Sequence, residues 1–463
     1  MDRFDYDVFV IGGGPGGYEA AIRCRQYGLK TALAEMDKLG GTCLNRGCIP
    51  TKALLHSAEM YAQARHFSEI GLSVGDIRAD YAAMAARKDR IVTRLRRGVA
   101  SLEASYGVDV FSERAVLEDA HTIRMGARKI RAKNILLATG SHPSKPPIPG
   151  IEGANILTSD DVLALNACPE KIVIVGGGVI GLEFATLFAS LGKEVVILEM
   201  LDRLLPALDE DVAAVFLRSL RDMKVDVHTA SSVVSLQGGN PVVCTFREGG
   251  KEKTVCGDIC IVCTGREPAT TDMGLENTAV RLTHRGFVEV NDCMQTNEPN
   301  IYAIGDITGK IQLAHVATAQ GMVAAANLAQ RTAVMRYDIV PACIYAMPEI
   351  AYVGMNSHQS EAAGYRPVAG TFPLAACGRA LTMDAPSGII RLIFDDVSKR
   401  LLGAQLISPH ATDMIGEICV ALKKRLRMDE LSDIIHPHPT LCECILEATH
   451  AVEGLCCNIA KIS

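Results

Sequence analysis

Two cysteines near the N-terminus, Cys43 and Cys48, have a spacing that suits redox chemistry. In a regular α-helix, Cα atoms five residues apart are about 8.7 Å apart, which exceeds the ~7 Å that a disulfide bridges. The backbone must therefore bend between the cysteines, and Gly47 permits such a bend. Pro50 suits the first turn of a helix. The spacing predicts a redox disulfide beside a helix that begins near Pro50, whose positive end lowers the pKa of a thiol.

Other interpretations of the cysteines follow from composition. A free Cys is most often a buried structural residue, and 16 Cys in 463 residues would also suit a disulfide framework. Such frameworks are usually short, secreted and loop-rich, whereas this chain opens with no signal sequence and contains no apolar run long enough to span a bilayer. We therefore expect a reduced, cytoplasmic protein without a membrane span.

The charge distribution bears on possible partners. A net charge of -6 and a pI near 6.1 provide no broad basic field for nucleic acid. The basic run 423–427 is interpreted as a solvated helix face. We expect no nucleic-acid partner, and the length of the chain indicates two to four domains.

A histidine and a carboxylate near the C-terminus suit general base catalysis. His438 is followed by Glu443, which could orient the imidazole as a base toward a thiol. The spacing from Thr440 to Glu443 is also that of a capping box, in which Glu443 would accept hydrogen bonds from backbone N–H groups at a helix start. The sequence leaves both interpretations open.

The elements that must position these residues begin with a dinucleotide fingerprint. An apolar strand at 7–11 leads into GxGxxG, a helix at 18–27 and a strand at 30–35 that ends in an acid. Glycines allow close approach to a pyrophosphate at the helix N-terminus, and the acid binds ribose hydroxyls. The residues concerned are Gly12, Gly14, Gly17 and Glu35.

A second fingerprint follows 164 residues later, at Gly176, Gly178 and Gly181. It lies between predicted strands at 171–175 and 194–198, with a helix predicted at 182–191. Glu199 ends the second strand, and its carboxylate favours the 2′-hydroxyl of NAD over the 2′-phosphate of NADP. Arg203 lies close enough in sequence to leave NADP open.

The remaining patterns divide the chain. A strand at 133–139 ends in Thr139-Gly140 before a proline-rich linker, 265–268 is predicted to be a turn, and a strand at 296–306 ends in Asp306. No glycine fingerprint follows residue 337. We predict a FAD-binding domain at 1–145, an NAD-binding domain at 146–270, a second part of the FAD-binding domain at 271–337 and a C-terminal domain at 338–463.

Taken together, these motifs resemble the class I pyridine nucleotide-disulfide oxidoreductases. The resemblance covers essentially the whole chain and depends on both fingerprints, 41–48, 138–140, 305–306 and 438–443. It implies an α/β protein with two Rossmann-like dinucleotide-binding domains, for FAD and NAD, and a C-terminal α+β dimerisation domain. Within the class, the chain is most similar to enzymes that oxidise protein-bound dihydrolipoyl groups with NAD.

The resemblance also implies roles for residues. The protein would be a homodimer whose C-terminal domain delivers His438 and Glu443 to the partner's site. Cys43 would meet the substrate, a lipoylated carrier protein of a 2-oxoacid dehydrogenase or glycine cleavage complex, and Cys48 would contact the flavin. No metal site is expected. The implied cofactor-binding residues are Gly12, Gly14, Gly17, Glu35, Thr42, Lys52, Thr139, Gly140, Gly176, Gly178, Gly181, Glu183, Glu199, Gly265, Arg266, Asp306 and Ala314.

Several positions depart from the family pattern and keep alternatives open. Met347 and Cys377 stand where many relatives have a polar residue, and Cys456-Cys457 is similar to the vicinal pair of mercuric reductases. Those enzymes lack the histidine and carboxylate dyad, however. Glutathione-type reductases favour NADP, which Glu199 opposes. A flavin-binding protein without catalytic activity is the third alternative, and the intact cysteine pair argues against it.

Overall fold

The computed structural model describes residues 4–460, and the predicted domain ends at residues 1 and 463 lie outside them. The first segment contains the strands β1 (Tyr6–Ile11), β2 (Thr31–Ala34), β3 (Asp109–Phe111), β4 (Val116–Leu117), β5 (Thr122–Met125), β6 (Arg128–Leu137) and β7 (Ser141–Pro143). Its helices are α1 (Pro15–Gln26), α2 (Gly41–Arg46), α3 (Cys48–Ala64) and α4 (Tyr81–Ser105).

The first sheet is parallel where it forms the dinucleotide fold. Its order is β3-β2-β1-β6-β5-β4, with β1 parallel to both β2 and β6. The strands β5 and β4 extend it in antiparallel fashion. Buried apolar residues on both faces of β1 explain why its sequence reads as a continuous apolar run.

The second segment repeats the pattern. Its strands are β8 (Ile156–Thr158), β9 (Lys171–Val175), β10 (Glu194–Leu198), β11 (Asp226–His228), β12 (Ser231–Gln237), β13 (Val242–Glu248), β14 (Lys251–Gly257), β15 (Ile259–Val262) and β16 (Arg266–Pro268). Its helices are α5 (Ser159–Val162), α6 (Val179–Ser190) and α7 (Glu210–Asp222). A parallel sheet has the order β11-β10-β9-β15-β8, and β12, β13 and β14 form an antiparallel sheet.

The strands predicted at 171–175 and 194–198 are confirmed. The turn predicted at 265–268 is wrong, because Arg266–Pro268 forms β16 and pairs antiparallel with β7. This short ribbon joins the two dinucleotide-binding units. Pro268 at its end lacks an N–H, which an edge position tolerates.

The third segment returns the chain to the first sheet. It contains β17 (Ile301–Ala303) and α8 (Ala314–Leu328), and β17 pairs parallel with β6. The strand predicted at 296–306 is therefore too long. Gly305 has φ = +75° and opens a 3₁₀ turn at Gly305–Thr308, which takes Asp306 out of the strand.

The last segment is an antiparallel sheet covered by helices. Its strands are β18 (Ala342–Ile344), β19 (Glu349–Gly354), β20 (Pro367–Pro373), β21 (Ile389–Asp395) and β22 (Leu401–Ser408). Its helices are α9 (Ser357–Ala362), α10 (Gly378–Thr382), α11 (Ala411–Lys424), α12 (Met428–Ser432) and α13 (Glu443–Ala451). The sheet order is β18-β19-β22-β21-β20, and α11 and α13 share its hydrophobic core.

These sheets confirm the predicted fold class, with two Rossmann-like units and a C-terminal α+β unit. The boundaries at 145/146, 270/271 and 337/338 stay predictions. No helix within residues 4–460 is long and apolar enough to cross a bilayer.

Candidate active site

The cysteine pair lies where two helices meet. Gly47 separates α2 from α3 and adopts φ = -144° and ψ = -115°, a conformation outside the helical region. This is the bend that the spacing required. The helix begins at Cys48, two residues before the predicted start at Pro50, because the backbone becomes helical directly after Gly47. Cys48 thus occupies the first position of a 17-residue helix, where the positive end of the helix dipole favours a thiolate.

The two sulfurs are chemically different. A hydrogen bond joins the Cys43 and Cys48 side chains. That bond from Cys43, together with the nearby Lys52 ammonium, lowers the pKa of Cys48 to about 7. The same bond and burial raise the pKa of Cys43 above its usual range. In the reduced pair, Cys48 is therefore the sulfur that loses its proton first, and Cys43 keeps its proton.

A partly buried ion pair lies beside these thiols. The Lys52 ammonium is 2.8 Å from each carboxylate oxygen of Glu183, which lies on α6 in the second dinucleotide-binding unit. Tyr345 contributes twice, because its backbone N–H donates to Glu183 at 3.1 Å and its ring centroid lies 4.4 Å from the Lys52 nitrogen. No sequence pattern marks Tyr345, because its contacts depend on how β18 packs on α6.

The first glycine turn fits a dinucleotide such as FAD. A Cβ on Gly12, whose φ is +106°, would lie 2.3 Å from the Ala138 oxygen, and one on Gly17 would lie 1.9 Å from the Gly12 oxygen. These two glycines are needed for the turn and for helix packing. A Cβ on Gly14 would meet its nearest atom at 3.9 Å, so the space beside Gly14 is open. The position that must approach a pyrophosphate is thus the one that the protein leaves uncovered.

The second turn has the same construction. A Cβ on Gly176 would lie 2.6 Å from the Cys263 oxygen, one on Gly181 would lie 2.0 Å from the Gly176 oxygen, and one on Gly178 would meet nothing within 4 Å. Both sites therefore leave room for a pyrophosphate at the middle glycine.

In each glycine turn, a glutamate carboxylate accepts a hydrogen bond from a backbone N–H group of the turn. Glu35 accepts from the Gly13 N–H at 2.8 Å, and Glu199 accepts from the Gly177 N–H at 2.6 Å. Burial raises the pKa of Glu35. The two carboxylates are thus fixed at the ends of β2 and β10, where the acids that bind ribose hydroxyls are found in this fold.

Two further predicted residues meet at the ribbon between the units. Arg266 donates from Nε to the Ser141 hydroxyl at 2.7 Å, and Ser141 in turn donates to Asp306 at 2.5 Å. Thr139 is tied to the Ala269 carbonyl at 2.8 Å, and neither Gly140 nor Gly265 would bring a Cβ within 4 Å of another atom. Sequence reasoning missed Ser141, although it directly follows the 138–140 motif.

The remaining predicted cofactor residues start helices. Thr42 lies in the first turn of α2, and Ala314 is the first residue of α8. Their N–H groups are among the backbone donors that a helix start leaves unpaired, so both positions suit the binding of anionic groups.

The C-terminal dyad is formed as a hydrogen-bonded pair. His438 Nδ1 lies 2.8 Å from Glu443 Oε1, and the other Glu443 oxygen accepts from the Thr440 N–H at 2.7 Å. Partial burial opposes ionisation, but these hydrogen bonds lower the pKa of Glu443. The capping-box alternative is met in part: Glu443 accepts from the Thr440 N–H, but the Thr440 hydroxyl donates to the Pro437 carbonyl and Glu443 is the first residue of α13.

In the single chain, His438 is exposed and its polar partner among the described residues is Glu443. The His438 side chain is 80% exposed, and no hydrogen bond or ion pair within residues 4–460 joins it to Cys43 or Cys48. Among the described residues, the dyad is therefore not joined to the cysteine pair by a polar contact within one protomer.

The positions that depart from the family pattern make local contacts. Cys456 lies 2.8 Å from a Glu447 oxygen, Cys377 lies 3.7 Å from the Thr440 carbonyl, and the Met347 sulfur lies 3.8 Å from the Ser190 hydroxyl. All 16 cysteines are thiols in this structure. Among residues 4–460, no group of three or more His, Cys, Asp and Glu side chains is arranged to hold a metal ion.

Comparison with known sequences decides the family. Residues 6–321 match the pyridine nucleotide-disulphide oxidoreductases, and residues 340–449 match the dimerisation domain of the same family. The chain belongs to this family. Enzymes of the family use FAD and NAD(H), in agreement with the two open glycine turns, and the matched C-terminal domain is a dimerisation domain.

Curated relatives in the family extend over nearly the whole chain. The chain is 38% identical to dihydrolipoyl dehydrogenase 2 of Haloarcula marismortui, with 97% of each chain covered. It is 40% identical to the dihydrolipoyl dehydrogenase of Chlamydia muridarum, with 95% of each covered, and 37% identical to one from Bacillus subtilis, with 98% of each covered.

Solved structures of the family share the fold. An HOCl-induced flavoprotein disulfide reductase from Escherichia coli has a TM-score of 0.87 at 29% identity, covering 97% of this chain and all of that one. LpdA from Mycobacterium tuberculosis has a TM-score of 0.88 at 28% identity, covering 96% of this chain and 99% of that one. The chain is thus an NAD(H)-linked flavoprotein oxidoreductase with a redox-active cysteine pair.

Proposed function

We propose that this enzyme oxidises the dihydrolipoyl group of a carrier protein, with NAD as the electron acceptor. The observation that carries the proposal is the close Cys43–Cys48 pair at the junction of α2 and α3, with Cys48 at the first position of α3. The lowered pKa of Cys48 and the raised pKa of Cys43 agree with unequal roles for the two sulfurs. Such a pair suits a dithiol–disulfide exchange in which one sulfur meets the substrate and the other becomes the leaving thiolate. The curated relatives named dihydrolipoyl dehydrogenases support the choice of substrate.

The proposed exchange takes place in two steps and moves two electrons and two protons from the substrate dithiol to the enzyme. One substrate thiol loses its proton to His438, and its sulfur attacks Cys43 of the oxidised pair, so that Cys48 leaves as a thiolate. The second substrate thiol attacks the substrate sulfur of the mixed disulfide and passes its proton to the departing Cys43 sulfur, which releases Cys43 as a thiol and the substrate as a cyclic disulfide. Bound FAD would supply the transfer of the electron pair from this thiol–thiolate pair to NAD as a hydride, and the Cys43 and His438 protons would be released as the disulfide reforms.

The proposed order of the cofactors along the chain is the one that the family resemblance implies, and the two open turns support it. The turn with Gly12, Gly14 and Gly17 would hold FAD, with Glu35 on its ribose, and the turn at 176–181 would hold NAD, with Glu199 on its ribose. Asp306, Arg266 and the other predicted residues would complete the two sites. The Glu199 carboxylate accepts hydrogen bonds from two backbone N–H groups. In that position it would repel the 2′-phosphate of NADP, which favours NAD as the coenzyme.

The catalytic base is proposed to come from the second subunit of a homodimer. His438 and Glu443 lie in the domain that matches the dimerisation domain, and His438 is exposed on the protomer. Mixing Cys43→Ser protomers with His438→Gln protomers tests this sharing, because one of the two sites in the hybrid keeps both groups. Recovery of part of the wild-type rate is expected, and no recovery in a verified heterodimer would contradict it.

A substrate comparison tests the proposed reaction. The holoenzyme should reduce NAD with dihydrolipoamide and should prefer it to reduction of glutathione disulfide or Hg(II) by either reduced nucleotide. Faster turnover of Hg(II) than of dihydrolipoamide would contradict the proposal and would indicate that the enzyme is a metal reductase that uses the Cys456-Cys457 pair. A cytoplasmic location belongs to the same proposal, because lipoylated carriers of this kind act with reduced thiols.

A further inference from the structure

The outer face of α4 carries an unusual concentration of positive charge. Arg90, Arg94 and Arg97 are all exposed, and we call them the arginine stripe. Their spacing of four and three residues places them on one face of the helix. Within residues 4–460, none of the three makes an ion pair. The neighbouring Asp89 is engaged by Lys88 at 3.0 Å.

The stripe is local and is not explained by the charge of the whole protein. The chain has a net charge of -6, so three unpaired guanidinium groups on one helix face oppose the average field. Unpaired arginines stabilise the helix little, whereas exposed guanidinium groups are well suited to bind carboxylates in pairs. The chemistry of the stripe therefore calls for an acidic partner.

The position of α4 connects the stripe to the cysteine pair. On the opposite face, Val92 and Val99 pack against Leu44, the residue next to Cys43. The helix thus separates the stripe from the α2 segment that carries Cys43 by about its own diameter of 10–12 Å. A protein bound on the stripe would lie within reach of the dithiol site.

Two exposed apolar side chains lie on the flank of α4, between the stripe and the face that packs on Leu44. Leu95 and Leu102 on the same helix are 41% and 47% exposed. Interfaces between proteins are enriched in Arg and combine it with apolar contacts. The three unpaired Arg side chains extend over about two turns of one helix face, a span of about 10 Å that a protein surface covers better than a small anion.

We propose that the arginine stripe binds an acidic surface of the protein that carries the dihydrolipoyl group. This inference rests on the proposed function. A second copy of this chain is a poorer occupant, because a two-fold contact at the stripe would place arginines against arginines. The stripe would act on the encounter with the carrier and leave the chemistry of a small dithiol unaffected.

The test compares two substrates of the holoenzyme at low ionic strength. One is free dihydrolipoamide, and the other is a reduced lipoyl domain with net negative charge. Charge reversal of the stripe, Arg90→Glu with Arg94→Glu and Arg97→Glu, should lower kcat/KM for the domain by roughly 10-fold or more. The kcat/KM for free dihydrolipoamide should stay within a factor of about two, since electrostatic steering does not act on a neutral substrate. Added salt should reduce the difference between wild type and variant.

A matched control carries the same change in charge elsewhere. Lys251, Arg281 and Arg366 are exposed, and reversing all three to Glu should leave kcat/KM for the domain close to wild type. An equal loss in this control, no loss in the stripe variant, or conversion of the stripe variant to monomers in light scattering would each overturn the proposal. Wild-type enzyme that fails to oxidise free dihydrolipoamide would instead contradict the proposed function, and the stripe proposal with it.

Discussion

The Lys52 ammonium group lies 2.8 Å from both carboxylate oxygens of Glu183, so that an ion pair joins α3 of the first dinucleotide-binding unit to α6 of the second. The charges of this ion pair also shift the pKa of the Cys48 thiol. The charge of Lys52 lowers the pKa of Cys48, and the charge of Glu183 raises it.

Opposite shifts are therefore expected in two variants. Lys52→Met should raise the pKa of Cys48 above about 7, and Glu183→Gln should lower it below about 7. The rate of Cys48 alkylation by iodoacetamide in the reduced protein, measured against pH by mass spectrometry, reports both shifts. Lys193→Met removes a Lys–Glu pair elsewhere and should leave the titration of Cys48 unchanged. Shifts of the same sign in the first two variants would show that the pair does not act through charge.

The coenzyme preference should depend on Glu199. Its carboxylate is held by the N–H groups of Gly177 and Leu201 at 2.6 and 2.8 Å, where it would oppose a 2′-phosphate. Replacing Glu199 by Ala and the adjacent, exposed Met200 by Arg should reduce the ratio of kcat/KM for NAD to that for NADP by roughly 10-fold or more. Steady-state rates with both nucleotides measure the ratio, and an unchanged ratio would place nucleotide selection on other residues.

The His438–Glu443 hydrogen bond gives a separate expectation. His438→Gln should lower turnover of dihydrolipoamide by roughly 100-fold or more, the scale of general base catalysis. Glu443→Gln should also lower turnover, because an amide replaces the negative charge beside the imidazole. Its unfolding midpoint should change little, because the amide oxygen still accepts from the Thr440 N–H. If Glu443→Gln instead had a lowered unfolding midpoint and wild-type turnover of dihydrolipoamide, Glu443 would have a structural role only.

A buried carboxyl group on α4 should make stability depend on pH. Glu103 is fully buried, and neither of its oxygens has a hydrogen-bond partner among the described residues. Burial raises its pKa to about 8 from an ordinary 4.5. The protonated form favours the folded state, so its contribution is complete below pH 4.5 and is lost as the pH rises through 8.

Relative to Glu103→Gln, wild type should lose on the order of 1.4 kcal/mol of unfolding free energy for each pH unit between about 5 and 8. Unfolding of the two proteins, followed by circular dichroism across that range, measures the difference. Parallel stability curves would indicate that Glu103 is ionised at little cost in the folded protein.

The sequence predicted the dinucleotide-binding units well, because glycines with positive φ and apolar parallel strands have strong local signatures. It predicted β9 and β10 to the residue. Contacts between distant segments were harder to predict. Ser141 joins Arg266 to Asp306 only once β7 and β16 pair, and Tyr345 reaches Glu183 through the packing of β18.

The C-terminal dyad shows why spacing alone left two interpretations. A carboxylate has two oxygens, and Glu443 uses one for His438 and the other for the Thr440 N–H. The spacing of a capping box and that of a catalytic dyad are thus compatible in one residue. The start of α3 was predicted two residues late for a simpler reason, since the preference of Pro for the first helical turn does not fix which residue begins the helix.

The central claim, that Cys43 and Cys48 are the protein groups that exchange electrons with a dithiol, is tested by one equivalent of dihydrolipoamide. The oxidised holoenzyme is mixed with it anaerobically without NAD, alkylated under denaturing conditions and analysed by peptide mass spectrometry. Two new alkylated residues are expected, Cys43 and Cys48, with the other 14 of the 16 cysteines labelled equally before and after. New labelling at Cys456 and Cys457, or no new labelling at Cys43 and Cys48, would contradict the claim.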